Sequence, residues 1–181
     1  MPCEAPTTTP RSKRDRPLSA KASLRKSAAQ IYASLVPHEN ADFLPRFAKL
    51  LQVAETLASD DPSMAIVTAH MAFEVAAERA FARLLSANGA APALAEAVLA
   101  GLPDRTFMDR RTREMWTLLA AGDEIKNAPP WKLYQQSVQR RNRAVHQGED
   151  FEAADAQAAI HAVRAMLDHL VERVLDRFQR G

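Results

Sequence analysis

Residues 150–178 read DFEAADAQAAIHAVRAMLDHLVERVLDRF, and the spacing of their apolar side chains decides the fold. Ala156, Ile160, Val163, Leu167, Leu170, Val174 and Phe178 recur at threes and fours, the period that stacks side chains on one face of an α-helix. Asp150 stands where a carboxylate can cap the first turn. The outer face alternates acids and arginines, so the stretch is a long amphipathic helix whose apolar face needs other helices to cover it. His161 and His169 fall off that stripe, which predicts that both are exposed.

Caps, prolines and apolar periods mark further helices upstream. Gly122 to Pro130 is a connection, after which Trp131 opens a helix that Gly148 closes. Upstream, Asp61-Pro62 pairs a cap with a first-turn proline, and the helix it starts runs to about Ala87, where Asn88-Gly89 stops it. Ile66, Ala69, Phe73, Ala77, Ala80 and Leu84 keep one face of that helix. His70 lies at the edge of the face with Glu74 four residues on, which suits either an orienting pair near a site or a boundary salt bridge. Ala93 to Leu99 makes a short helix closed by Gly101. Asp104 is placed to cap the next, which reaches about Ala121 and carries Arg110, Arg111 and Arg113, a basic trio read as a solvated face. Toward the N-terminus, Asp42 caps a helix that tolerates Pro45 in its first turn, buries Leu44, Phe47, Leu51, Ala54 and Leu57, and ends near Ser59. A first helix spans about Ser19 to Leu35.

Hydrophobic residues make up 47% of the 181-residue chain but aromatics only 6%, with 5 Gly, a balance that favours close-packed, alanine-rich helices over a turn-dense sheet. The expected fold is all-α, an up-and-down bundle of about five to seven helices forming one domain over residues 19–181. Residues 1–18 hold Pro2, Pro6, Pro10 and Pro17 with Thr7 to Thr9, a composition that predicts a disordered arm. Charge is also uneven. Residues 1–26 carry seven basic side chains against Glu4 and Asp15, leaving 17 basic and 20 acidic residues of the chain's 24 and 22 for the remainder. Such an arm can meet nucleic-acid phosphates through counterion release, or can simply aid solubility. No apolar run is long enough to span a bilayer and the N-terminus lacks an apolar signal core, so a cytoplasmic protein with no membrane partner is expected. Cys3 is the single cysteine, which excludes an internal disulfide or a cysteine-based zinc site, and the histidines show no metal-ligand spacing.

Residues that suggest chemistry gather in Arg141-Asn142-Arg143-Ala144-Val145-His146-Gln147-Gly148, at the end of the penultimate helix. An arginine fork holds a phosphate by two charge-assisted bonds, and a histidine titrating near neutrality moves protons. On the helix, Tyr134, Val138 and Val145 form a narrow apolar stripe that should face a core or a partner helix. Arg141 sits on one edge of the stripe, and Asn142 and His146 share the other. Arg140 and Arg143 fall with Gln136 on the far face and read as solvated. Arg141 and His146 are separated by about 140° around the helix, so one straight helix cannot aim both at a single atom. Packing the seam on its own copy about a two-fold axis would bring them together. The bland alternative is an arginine that pairs with an acid and a histidine that favours the helix dipole.

With these residues in view, the C-terminal half resembles the HEPN family (higher eukaryotes and prokaryotes nucleotide-binding domain), small α-helical bundles marked by Arg-x4–6-His. Arg141 to His146 matches with four intervening residues, Asn142 matches the polar residue that often follows the arginine, and the turn before the long last helix is similar to the family's. The stretch around His70-Met71-Ala72-Phe73-Glu74 is similar to its earlier core helix. The resemblance spans about Asp42 to Phe178, with only the motif specific. It implies a metal-independent endoribonuclease, often a toxin or phage-defence component, with no cofactor and a cleft built by a homodimer through the motif helix. RNA would be the substrate and an antitoxin protein a partner. Arg141 would hold the scissile phosphate, His146 would act as general base or acid, and Asn142 would orient them. Some members carry a tyrosine two residues after the histidine that a partner enzyme modifies; here that position is Gly148. Other members bind or scaffold without cutting, which leaves a non-catalytic dimerisation or protein-interaction module as the alternative.

Overall fold

The computed structural model describes residues 46–179, and these form an all-α helical bundle. The arm over residues 1–18, the helix expected from Ser19 to Leu35 and the Asp42 cap with Leu44 and Pro45 lie outside the described residues. The helices are α1 Arg46–Leu57, α2 Pro62–Ala87, α3 Pro92–Ala100, α4 Arg110–Leu119, α5 Trp131–Gln147 and α6 Ala153–Gln179, with one 3-10 turn at Ile125–Asn127. No described helix is long and apolar enough to cross a membrane.

Local chemistry sets most of these limits. Asp61 accepts the Met64 N–H at 3.0 Å and Pro62 follows in the first turn, so α2 begins where cap and proline place it. Gly148 ends α5 in the left-handed conformation, φ 61°. The last helix starts at Ala153, not at Asp150. Asp104 also departs from expectation. Its Oδ1 accepts the Thr106 N–H at 2.6 Å and its Oδ2 the Asp109 N–H at 2.5 Å, so it ties up a loop, while Asp109 caps α4 through the Arg111 and Thr112 N–H groups. Two carboxylates five residues apart compete for one role, and the one adjoining the first turn takes it.

The central helix is α2, which packs against α1, α3, α5 and α6. Every apolar residue expected on its face is buried: Ile66, Ala69, Phe73, Ala77, Ala80 and Leu84. On α6 the stripe from Ala156 to Val174 is buried and Phe178 at its end is exposed. Between α2 and α4, Phe73, Phe81, Phe107 and Trp116 form an aromatic cluster with centroids 5.4 to 5.9 Å apart. Phe107 holds φ 61°, a conformation costing a non-glycine residue about 1–2 kcal/mol. Complete burial of its ring, worth about as much or more, offsets that strain.

His161 is exposed as expected, but His169 is buried. Its Nε2 lies 3.0 Å from Asp123 Oδ2, which also accepts the Trp116 Nε1–H at 2.8 Å. A turn with Ala121 at φ 54° and Gly122 at φ 88° swings Asp123 onto α6, covering a position that the helical stripe alone leaves outside.

Candidate functional site

The α5 stripe divides along its length. Tyr134 and Val138 are buried against α2, whereas Val145 is 47% exposed, so the described residues leave the C-terminal turn of the seam uncovered. Arg141, three residues beyond Val138, stands where the buried half gives way to the exposed half. Its Nη2 reaches Glu74 Oε1 on α2 at 3.4 Å, and its Nη1 donates to Asn142 Oδ1 at 3.2 Å. The arginine side chain is 27% exposed, and its Nε is buried with no hydrogen-bond partner. A single long contact to a carboxylate with the inner N–H unsatisfied is a loose grip compared with a bidentate fork.

Beneath the guanidinium lie two buried polar side chains. Tyr134 stacks obliquely on Phe73 at 4.5 Å and on His70 at 5.7 Å, and among the described residues neither the Tyr134 hydroxyl nor either His70 ring nitrogen has a hydrogen-bond partner. Burial, and then the nearby Arg141 charge, lower the His70 pKa to about 3, against a weaker opposing pull from the Ser137 backbone, which lies outside hydrogen-bond geometry. Burial foremost, with the Glu74 and Asp104 carboxylates adding to it, raises the Tyr134 pKa well above its ordinary value. Both groups are therefore neutral at neutral pH. His70 and Glu74 do not pair with each other: the ring turns into the core, and the carboxylate turns toward Arg141.

Beside Arg141 opens a cavity of about 300 Å³ lined by Glu74, Asp104, Arg105, Thr106, Arg141 and Asn142, with Met108 and Val138 as its apolar wall. Arg141 and Asn142 thus share one pocket. His146 lies one turn farther along α5, exposed in its last turn, and does not line the pocket. Within one chain the arginine and the histidine do not converge.

The other arginines depart from a simple solvated face. Arg140 pairs with Asp155 at 3.2 Å, and Arg143 pairs with Glu149 at 2.7 Å while lying 5.2 Å from the Phe151 ring centroid. The start of α6 crosses this side of α5, so side chains placed outside by helical period meet a neighbour. In the basic trio, Arg110 pairs with Glu114, Arg111 is exposed and Arg113 donates to the Phe107 and Met108 carbonyls. None of the three lines the Arg141 pocket, and the basic side chain that joins it is Arg105, itself paired with Glu78 at 2.8 Å.

Glu74 stands out in the sequence through its spacing from His70 but not through Arg141, which lies 67 residues away. Asp104, Arg105 and Thr106 carried no local signal for a pocket. Among the described residues no three His, Cys, Asp or Glu side chains gather closely enough to hold a metal ion. Chemically, the arrangement offers a half-buried guanidinium at a pocket rim, an amide beside it and an imidazole exposed a turn away. No protein-family model matches the chain, and no curated protein or solved structure matches it.

Proposed function

We propose that this protein is a HEPN-like, metal-independent endoribonuclease that works in the cytoplasm as a homodimer, as a toxin or phage-defence component with an antitoxin protein for a partner. The observation that carries the reading is Arg141 at the rim of a pocket, loosely held by Glu74 and Asn142, with His146 exposed one turn away on a helix end whose Val145 the described residues leave uncovered. A second α5 packed on that end would cover Val145 and bring two guanidinium and two imidazole groups to one cleft.

In that cleft one His146 takes the proton from a ribose 2′-hydroxyl, and the oxygen attacks the adjacent phosphorus. The P–O5′ bond breaks, and the partner copy's imidazole returns a proton to the departing oxygen. Arg141 stabilises the charge that builds on the phosphoryl oxygens, and Asn142 holds Arg141 in register. The products are a 2′,3′-cyclic phosphate and a 5′-hydroxyl end.

A second reading, a non-catalytic dimerisation or protein-interaction module, draws support from the Arg141–Glu74 contact, which gives the arginine a structural occupation. Single substitutions separate the two. Arg141→Ala and His146→Ala should each abolish cleavage of RNA while leaving the circular dichroism spectrum and the oligomeric state unchanged. If no RNA is cut by the parent, the module reading stands; if both variants cut as the parent does, Arg141 and His146 are not the residues that cut and the proposed mechanism fails.

A further inference from the structure

We infer that the cavity beside Arg141 is a guanine pocket, in which Glu74 and Asn142 read the Watson–Crick edge of one unstacked base next to the cleaved phosphodiester. The inference deepens the nuclease reading and rests on it only for the claim that the base belongs to RNA.

Charge decides what the cavity can hold. Two carboxylates, Glu74 and Asp104, line it together with Arg105 and Arg141, so it offers no net positive field for a phosphate to enter. A neutral ligand rich in N–H donors suits it better. Asp104 is already committed to the Thr106 and Asp109 N–H groups and the Thr106 hydroxyl, which leaves Glu74 as the available acceptor. Glu74 Oε1 receives Arg141, and Oε2 has no hydrogen-bond partner among the described residues. Asn142 gives its Oδ1 to Arg141, so the group it retains for a ligand is the Nδ2 donor pair. The pocket therefore presents a carboxylate acceptor beside an amide donor, with Met108 and Val138 as an apolar wall for a flat ring.

Among the four bases this order fits one. Guanine carries adjacent N1–H and N2–H donors, which a carboxylate accepts together, next to an O6 acceptor for an amide N–H. Adenine and cytosine place an acceptor where the second donor is needed, and uracil flanks its one donor with two acceptors. The cavity's own lining carries the inference: Tyr134, whose buried hydroxyl has no hydrogen-bond partner among the described residues, packs behind the seam and does not line it.

The test is titration of the full chain with guanosine, inosine and uridine 5′-monophosphates, followed by amide chemical shifts. All three share the phosphate, so differences report the base, and inosine lacks only the 2-amino group. Guanosine monophosphate is expected to bind at least about tenfold more tightly than the other two, the change that follows from one hydrogen bond to a charged group. Glu74→Gln should remove that preference with the unfolding midpoint retained, and RNA cuts should fall beside guanosines. Equal binding of the three, no binding at millimolar concentration, or a preference that survives Glu74→Gln overturns the inference. Cleavage without guanine preference would sink the pocket and spare the nuclease, whereas guanine binding without cleavage would do the reverse.

Discussion

Replacing Tyr134 by phenylalanine removes one oxygen from the centre of the α2–α5 seam and leaves the ring against Phe73 and His70. That oxygen is fully buried and has no hydrogen-bond partner among the described residues, so folding strips it of water without return. The desolvation penalty of an unsatisfied buried hydroxyl is about 1–3 kcal/mol, and Phe keeps the ring's shape. Tyr134→Phe is therefore expected to stabilise the protein by about 1 kcal/mol or more, contrary to the usual effect of a core substitution. For a chain of this length each kcal/mol corresponds to about 2–4 °C in the unfolding midpoint. Urea unfolding followed by circular dichroism reads it directly: the midpoint should rise with an unchanged slope. A loss of 1 kcal/mol or more would refute the reasoning, because it would mean that the hydroxyl makes a bond in solution that the buried seam does not reveal.

Three further expectations follow from the same seam and its surroundings. His70 has a folded pKa of about 3 against 6.5 unfolded, so the unfolded chain binds the extra proton between those values. Its contribution to stability is complete above pH 6.5 and is lost as pH falls toward 3. A drop from pH 7 to 5 should cost about 2 kcal/mol by proton linkage, and His70→Leu should flatten that part of the profile in urea titrations. Asp123→Ala leaves Trp116 Nε1 and His169 without their shared acceptor and should cost about 2–4 kcal/mol, seen as a lowered thermal midpoint. Gly148→Ala meets no atom within 4 Å, so its cost should be the left-handed backbone alone, about 1 kcal/mol in the same assay.

Much of the fold was legible because local signals set it. Asp61-Pro62 and Gly148 fixed helix ends through hydrogen bonding and backbone sterics that need no partner, and the threes and fours of α2 and α6 named residues now buried, all but Phe178 at the end of α6. What failed required tertiary contact. Asp104 has the composition of a cap but is spent on a loop, and His169 is off the stripe yet lies under a turn whose positive φ angles no periodicity encodes. Of the site, Arg141, Asn142 and His146 were visible as types at a helix end. Glu74 opposite Arg141 was not, because the contact depends on how α2 and α5 pack, and the unpaired Tyr134 hydroxyl becomes apparent only when burial on every side is known.

The proposed function requires that Arg141 and His146 cut RNA without metal. The most direct test incubates the purified full chain in chelator with an end-labelled RNA and with the same RNA carrying a 2′-deoxy substitution at the cleaved position. Cleavage that leaves a 2′,3′-cyclic phosphate is expected on the first, and none at the substituted position of the second. An RNA that stays intact in chelator, or one cut equally with the 2′-hydroxyl removed, would contradict it.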